Sequence, residues 1–156
     1  MDDEAYMRMA LSLAEAAGEL GEVPVGAVVV DEATGDVLGG AANGPIGLTD
    51  PTAHAEIRAI RMAAESVGNY RLTGLTLFVT LEPCPMCAGA ISHARLGRVV
   101  WGADDPKGGG VVHGARVFDH PTCHWRPAVE GGVLAEEASG LLKGFFRARR
   151  SKGTTA

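Results

Sequence analysis

At 156 residues, 46% of them hydrophobic, the chain is the size of one compact domain and apolar enough to line a single continuous core. A formal net charge of −5 argues against a uniformly basic surface that coats nucleic acid, and no apolar run approaches the roughly 20 residues of a membrane helix. The acidic opening Met1-Asp2-Asp3-Glu4 is unlike the basic start of a signal peptide, and three cysteines make a poor disulfide framework, so a cytoplasmic protein with no membrane association is expected.

From residue 3 to 20, Tyr6, Met9, Leu13, Ala17 and Leu20 recur every three or four positions, the spacing of an amphipathic helix closed by Gly21. Residues 25–30 are a short β-branched run, and the segment 31–36 turns it into a second strand at 37–41, weakened by Gly39 and Gly40. Residues 43–52, rich in Gly, Pro, Thr and Asp, read as a loop, with Thr52 capping a helix over 53–66. His54 and Glu56 then fall in that helix's first turn. Residues 75–81 have the pattern of a strand covered on both faces, leading into Glu82-Pro83-Cys84. Pro85 suits the first turn of a helix, so Cys84 and Cys87 sit at the N-terminus of a helix reaching about residue 95. A strand at 99–101, a long irregular segment at 102–127, a last strand at 129–134 and a helix over 135–150 complete the chain. Strands alternating with helices predict an α/β fold, helices packed on a mixed sheet of about five strands.

The charge is unevenly placed. Lys143, Arg147, Arg149, Arg150 and Lys152 crowd the last stretch, whereas Asp2, Asp3, Glu4, Glu15, Glu19 and Glu22 mark the first. The cationic end either meets a phosphate backbone or simply complements the negative end of the last helix dipole.

Two pieces carry chemistry: His54-Ala55-Glu56 and, thirty positions beyond His54, Cys84-Pro85-Met86-Cys87. One imidazole and two thiolates make a three-ligand zinc site with its fourth tetrahedral position open, the catalytic arrangement. Zinc brings the pKa of a water to about 7. Glu56, two residues after the histidine, is placed to move protons rather than to bind the metal. Other readings stand beside this one. Cys84 and Cys87 alone make a redox pair, and a fourth ligand from Cys123 or His124 would make a closed structural site, which leaves Glu56 without a task. His93, His113, His120 and His124 read as hydrogen-bonding or surface residues, and Trp101 and Trp125 as packing aromatics or as stacking platforms for a base.

His-x-Glu combined with Pro-Cys-x-x-Cys is the signature of the zinc nucleobase deaminases. Beyond it, Glu22-Val23-Pro24-Val25-Gly26-Ala27, Asn43-Gly44-Pro45-Ile46-Gly47, Asp50-Pro51-Thr52-Ala53-His54-Ala55-Glu56, Asn69-Tyr70-Arg71-Leu72, the run from Thr80 through Ala90 and Phe145-Phe146-Arg147 resemble the bacterial tRNA adenosine deaminases along nearly the whole chain. The resemblance implies a single deaminase domain over 1–156 with the cytidine-deaminase-like fold, helices on both faces of the sheet. It also implies a homodimer, a Zn2+ cofactor on His54, Cys84 and Cys87, Glu56 as the catalytic proton carrier, and an adenine flipped out of a tRNA anticodon loop. Asn43 is then a contact to the flipped nucleoside and Asp105 an acid near its sugar. Read without the family, Asn43 is a turn residue and Asp105 a loop acid.

The departures cluster where substrate is chosen. The family's usual aromatic and basic residues around the loop Asn are Ala42 and Gly44 here, and its Arg before the loop acid is Asp104. The run Gly108-Gly109-Gly110-Val111-Val112-His113 and the later Pro121-Thr122-Cys123-His124-Trp125-Arg126 also differ from the family's pattern. They leave a second reading open, deamination of a free purine or pyrimidine base or nucleoside. A third, from another class, is a non-catalytic RNA-binding or assembly module, against which the retention of Glu56 argues.

Overall fold

The computed structural model describes residues 1–154, with side chains through residue 150; the side chain of Lys152 lies outside the described residues. The element order is α1 (Asp3–Glu19), β1 (Gly26–Asp31), β2 (Asp36–Ala42), α2 (Pro45–Leu48), α3 (Ala55–Val67), β3 (Thr76–Leu81), α4 (Pro85–Ala94), β4 (Arg98–Ala103), β5 (Ala128–Glu130) and α5 (Ala135–Thr154), with a 3-10 turn at Val117–Asp119 before β5. The five strands form one sheet in the order β2-β1-β3-β4-β5. β1 runs antiparallel to both β2 and β3, while β3, β4 and β5 are parallel.

Period-2 alternation on the central strands divides the core between the two faces of the sheet. Val29, Leu77, Val79, Val99 and Trp101 point to the side covered by Ala55, Ala59 and Ala63 of α3 and by Ala88 and Ile91 of α4. Val28, Val30, Phe78 and Val100 point to the other side, under Tyr6, Met7, Ala10 and Leu11 of α1 and Ala138 of α5. Because both faces are dry, β3 reads as an apolar run rather than an alternation. Each fully buried Leu or Phe contributes about 1.5–3 kcal/mol. At the end of the strands opposite the helix starts that carry the site, Arg98 ties three segments together. Its guanidinium donates to Asp3 at 2.6 and 2.9 Å, to Glu32 at 3.1 Å and to Glu130 at 3.0 Å.

Three expectations are corrected. Residues 43–52 are not all loop, since Pro45 starts the short helix α2. Thr52 does not cap α3: its hydroxyl donates to Asp50 at 2.7 Å, and the helix begins at Ala55 with His54 itself in the cap position. The last strand stops at Glu130 because Gly132 and Leu134, with φ of 93° and 55°, leave the extended region. Gly39, beside which the β1–β2 register slips, also lets α3 approach. A Cβ there would stand 2.4 Å from the Ala59 carbonyl oxygen and 2.9 Å from the Ala63 nitrogen, so helix backbone lies directly on the strand.

That contact fixes the height of α3, and with it the residues at its N-terminus. Gly39→Ala is expected to cost about 1–3 kcal/mol, read as a lower urea midpoint with an unchanged slope.

Candidate active site

The functional side chains come from the beginnings of two helices on the same face of the sheet. His54 is the N-cap residue of α3 and Cys84 that of α4. His54 makes no side-chain capping bond to its own helix, and Cys84 stands where a Ser, Thr, Asp or Asn is usual, its sulfur against Cys87 of the first turn. Pro85 takes the first helical position of α4 and places Cys87 within its first turn. The result is a cluster in which the ligand atoms of His54, Cys84 and Cys87 all lie within 4.8 Å of one another. His54 Nδ1 is 3.6 Å from the Cys84 sulfur and 3.5 Å from the Cys87 sulfur. Cys87 is fully buried and Glu56, in the first turn of α3, is 4% exposed.

Burial dominates the electrostatics. It pushes the Glu56 carboxyl up to about 7, with the neighbouring Cys84 charge adding to the rise and His54 opposing it. The Cys84 thiol falls to about 4, chiefly through the hydrogen bond from Cys87 and then through His54. Cys87 rises for the converse reason, as it donates its own proton to the Cys84 sulfur, and because it is buried. His54 is raised, first by its hydrogen bond to Cys84. The four groups thus share protons in a dry site at the positive ends of two helix dipoles.

Asn43 follows β2 directly, its backbone N–H donating to the Val25 carbonyl at 2.9 Å. Two side chains that sequence reasoning passed over hold the segment after it. The buried Glu22 accepts from the N–H groups of Ile46 at 3.1 Å and Gly47 at 2.7 Å. It supplies from a distance the cap that Gly44 lacks at the start of α2. Arg58 of α3 reaches back to donate to the Ala42 carbonyl, its guanidinium lying against Gly44. A cation therefore stands beside the loop although position 44 carries none.

Asp105 follows β4, half-buried, its backbone N–H on Glu82 at 3.0 Å and its own carboxylate accepting from the Gly108 N–H at 3.0 Å. Trp101 is 2% exposed and donates its indole N–H to Asp104 at 2.8 Å, so it is a core residue and no platform for a base. The indole of Trp125 is tied to the Leu96 carbonyl at 2.7 Å. Cys123 donates to the Trp125 carbonyl at 3.1 Å, and among the described residues neither it nor His124 joins the donor cluster. The cations of α5 divide: Arg149 caps the end of α1 through the Gly21 carbonyl at 3.1 Å, while Lys143, Arg147 and Arg150 join Lys107 and Phe146 around a cleft of about 520 Å³.

Residues 1–150 match the MafB19-like deaminase family. The chain is 51% identical to the tRNA-specific adenosine deaminase of Agrobacterium fabrum over 93% of this chain and 94% of that one. It is equally 51% identical to the tRNA-specific adenosine deaminase of Haemophilus influenzae, over 96% of this chain and 86% of that one. A solved structure from a study of A-to-I editing by tRNA deaminases at the wobble position overlays with a TM-score of 0.86 at 51% identity, covering 88% of this chain and 99% of that one.

The proton sharing has a measurable consequence. In metal-free protein, the rate of Cys84 alkylation by iodoacetamide, followed by peptide mass spectrometry, is expected to level off above about pH 5 instead of climbing towards the usual thiol range near 8.5.

Proposed function

The chain belongs to the family of the tRNA-specific adenosine deaminases, and we propose that it hydrolyses the wobble adenosine of a tRNA anticodon loop to inosine and ammonia. The observation that carries this reading is the junction of one imidazole, two thiols and a buried carboxyl within a chain of near full-length similarity to enzymes of that name.

The donor set fits zinc. Tetrahedral Zn–S and Zn–N bonds of about 2.3 and 2.0–2.1 Å require an N···S separation of about 3.6 Å, and His54 stands at 3.6 and 3.5 Å from the two sulfurs. His54, Cys84 and Cys87 would hold the ion, leaving one position open. When bound, zinc supplies a nucleophilic water near neutral pH. Glu56, whose burial favours the protonated form, carries the protons: it accepts one from the water as the C6–O bond forms, passes it to the ring nitrogen, and assists departure of the amino group as the C6–N bond breaks. Asn43 contacts the flipped nucleoside and Asp105 stands near its sugar. The cleft bounded by Lys107, Lys143, Arg147 and Arg150 takes the flanking phosphates, with Phe146 as a stacking surface.

The working form is a homodimer, a reading supported by the exposed apolar side chains Ile46, Leu48, Met62 and Met86 on α2, α3 and α4. The reducing cytoplasm keeps the two thiols available as ligands. No helix among the described residues is long and apolar enough to cross a membrane.

The reading is tested by nucleoside mass spectrometry of an anticodon stem-loop incubated with zinc-loaded protein, beside a panel of free bases and nucleosides. Inosine from the RNA alone is expected; turnover of a free compound with the RNA untouched would replace tRNA with that compound as substrate. In the same assay Glu56→Ala keeps zinc and fold but loses deamination, and Cys87→Ser loses zinc on purification by metal analysis. Lys143→Ala and Arg147→Ala are expected to raise KM with kcat unchanged, each lowering the slope of log KM against log salt by about 0.7.

A further inference from the structure

Glu82 is a carboxylate with no part in the chemistry above, and its side chain is completely buried. It lies at the end of β3, two residues before Cys84, and its backbone N–H pairs with the Ala103 carbonyl of the neighbouring strand at 2.9 Å. Its side chain is the centre about which the next loop folds. One carboxylate oxygen accepts from three consecutive backbone N–H groups, Val111 at 3.2 Å, Val112 at 3.0 Å and His113 at 3.1 Å. The other accepts from the Asp105 N–H at 3.0 Å and lies 2.7 Å from the His113 imidazole. Successive N–H groups converging on one point form an anion-binding nest, and here the anion is internal.

The glycines of the loop follow from this geometry. A Cβ on Gly109 would stand 2.5 Å from the Glu82 carboxylate, and one on Gly110 would stand 2.5 Å from the Pro85 nitrogen. The Gly110 N–H in turn donates to the Pro83 carbonyl at 2.8 Å. The chain therefore wraps the carboxylate and lies flat on the turn that carries Cys84, with no room for side chains between. The segment from Asp105 to His113, irregular by sequence, is held at both ends by a single residue of the metal-ligand turn. Although burial raises the carboxyl, the hydrogen bonds from Asp105, His113 and Val112 outweigh it and hold it below the usual carboxylate range.

We propose that Glu82 is a positioning residue for substrate: as the internal anion of the nest, it sets where Asp105 stands relative to the His54, Cys84 and Cys87 cluster. The inference rests on the reading of Asp105 as the acid near the substrate sugar. Emptying the nest frees the Asp105 end of the loop while leaving the donor cluster on its two helices, and a displacement of about 1 Å at a positioning group costs on the order of 100-fold in rate.

The test uses zinc-loaded full-length protein and the anticodon stem-loop. Glu82→Ala is expected to raise KM about tenfold or more, with a smaller fall in kcat and zinc unchanged at one per chain. Sodium formate, small enough to enter the emptied nest, restores part of the lost kcat/KM to this variant and nothing to wild type. Glu82→Gln keeps one acceptor oxygen but turns an amide N–H2 towards the Asp105 N–H, so it shows an intermediate KM and no response to formate. Wild-type KM in Glu82→Ala would overturn the proposal, as would a loss that follows zinc content and ignores formate. If Glu82→Ala does not fold, the KM of Glu82→Gln and of His113→Ala decides, and wild-type values in both would sink the idea. Wild-type protein that deaminates a free nucleoside and not the RNA would instead refute the tRNA reading, and the Glu82 comparison is then made on that nucleoside.

Discussion

The structure turns on the meeting of two helix beginnings. His54 and Cys84 each occupy an N-cap position, and the imidazole nitrogen comes within 3.6 Å of the sulfurs of both Cys84 and Cys87. Bringing them together requires α3 and α4 to sit at set heights on the same face of the sheet. Small residues meet that requirement: Ala55, Ala59, Ala63 and Ala88 pack without bulk, and Gly39 lets helix backbone rest on β2. There burial raises the Glu56 carboxyl to about 7, while the hydrogen bond from Cys87 and then His54 lower the Cys84 thiol to about 4.

Around that centre, buried acids rather than secondary structure shape the walls. Glu22 caps α2 beside Asn43, and Glu82 organises the loop after Asp105. Each carboxylate satisfies several backbone N–H groups that an irregular segment would otherwise leave buried and unpaired, a cost of about 1–3 kcal/mol apiece. The same logic explains two of the chain's departures from its relatives. At Gly44 the missing side chain is answered by the Arg58 guanidinium, and at Asp104 the acid is the hydrogen-bond partner of the buried Trp101 indole.

The cations of α5 show how one sequence feature divides into two tasks. Arg149 complements the end of α1 through the Gly21 carbonyl and lies over Phe145, a packing role. Lys143, Arg147 and Arg150 face Lys107 across an open cleft. Residues two apart on a helix point in different directions, so Arg149 and Arg147 face different surroundings.

Much was legible in the sequence because it rests on local rules. Local patterns placed four of the five helices and all five strands within a few residues, α2 being the helix missed, and Pro85 and the Cys-x-x-Cys spacing put two thiols at one helix start. His54 and Glu56 belonged together for the same reason, two residues apart at a helix start. What required the folded chain was every contact between distant segments. The paired motifs named His54, Cys84 and Cys87 as one ligand set, but their spacing is a property of the folded chain, and the carboxylates Glu22 and Glu82 look like ordinary acids. Their partners are backbone N–H groups, which every non-proline residue offers, so residue identity marks no target and only the path of the chain decides which groups they bind.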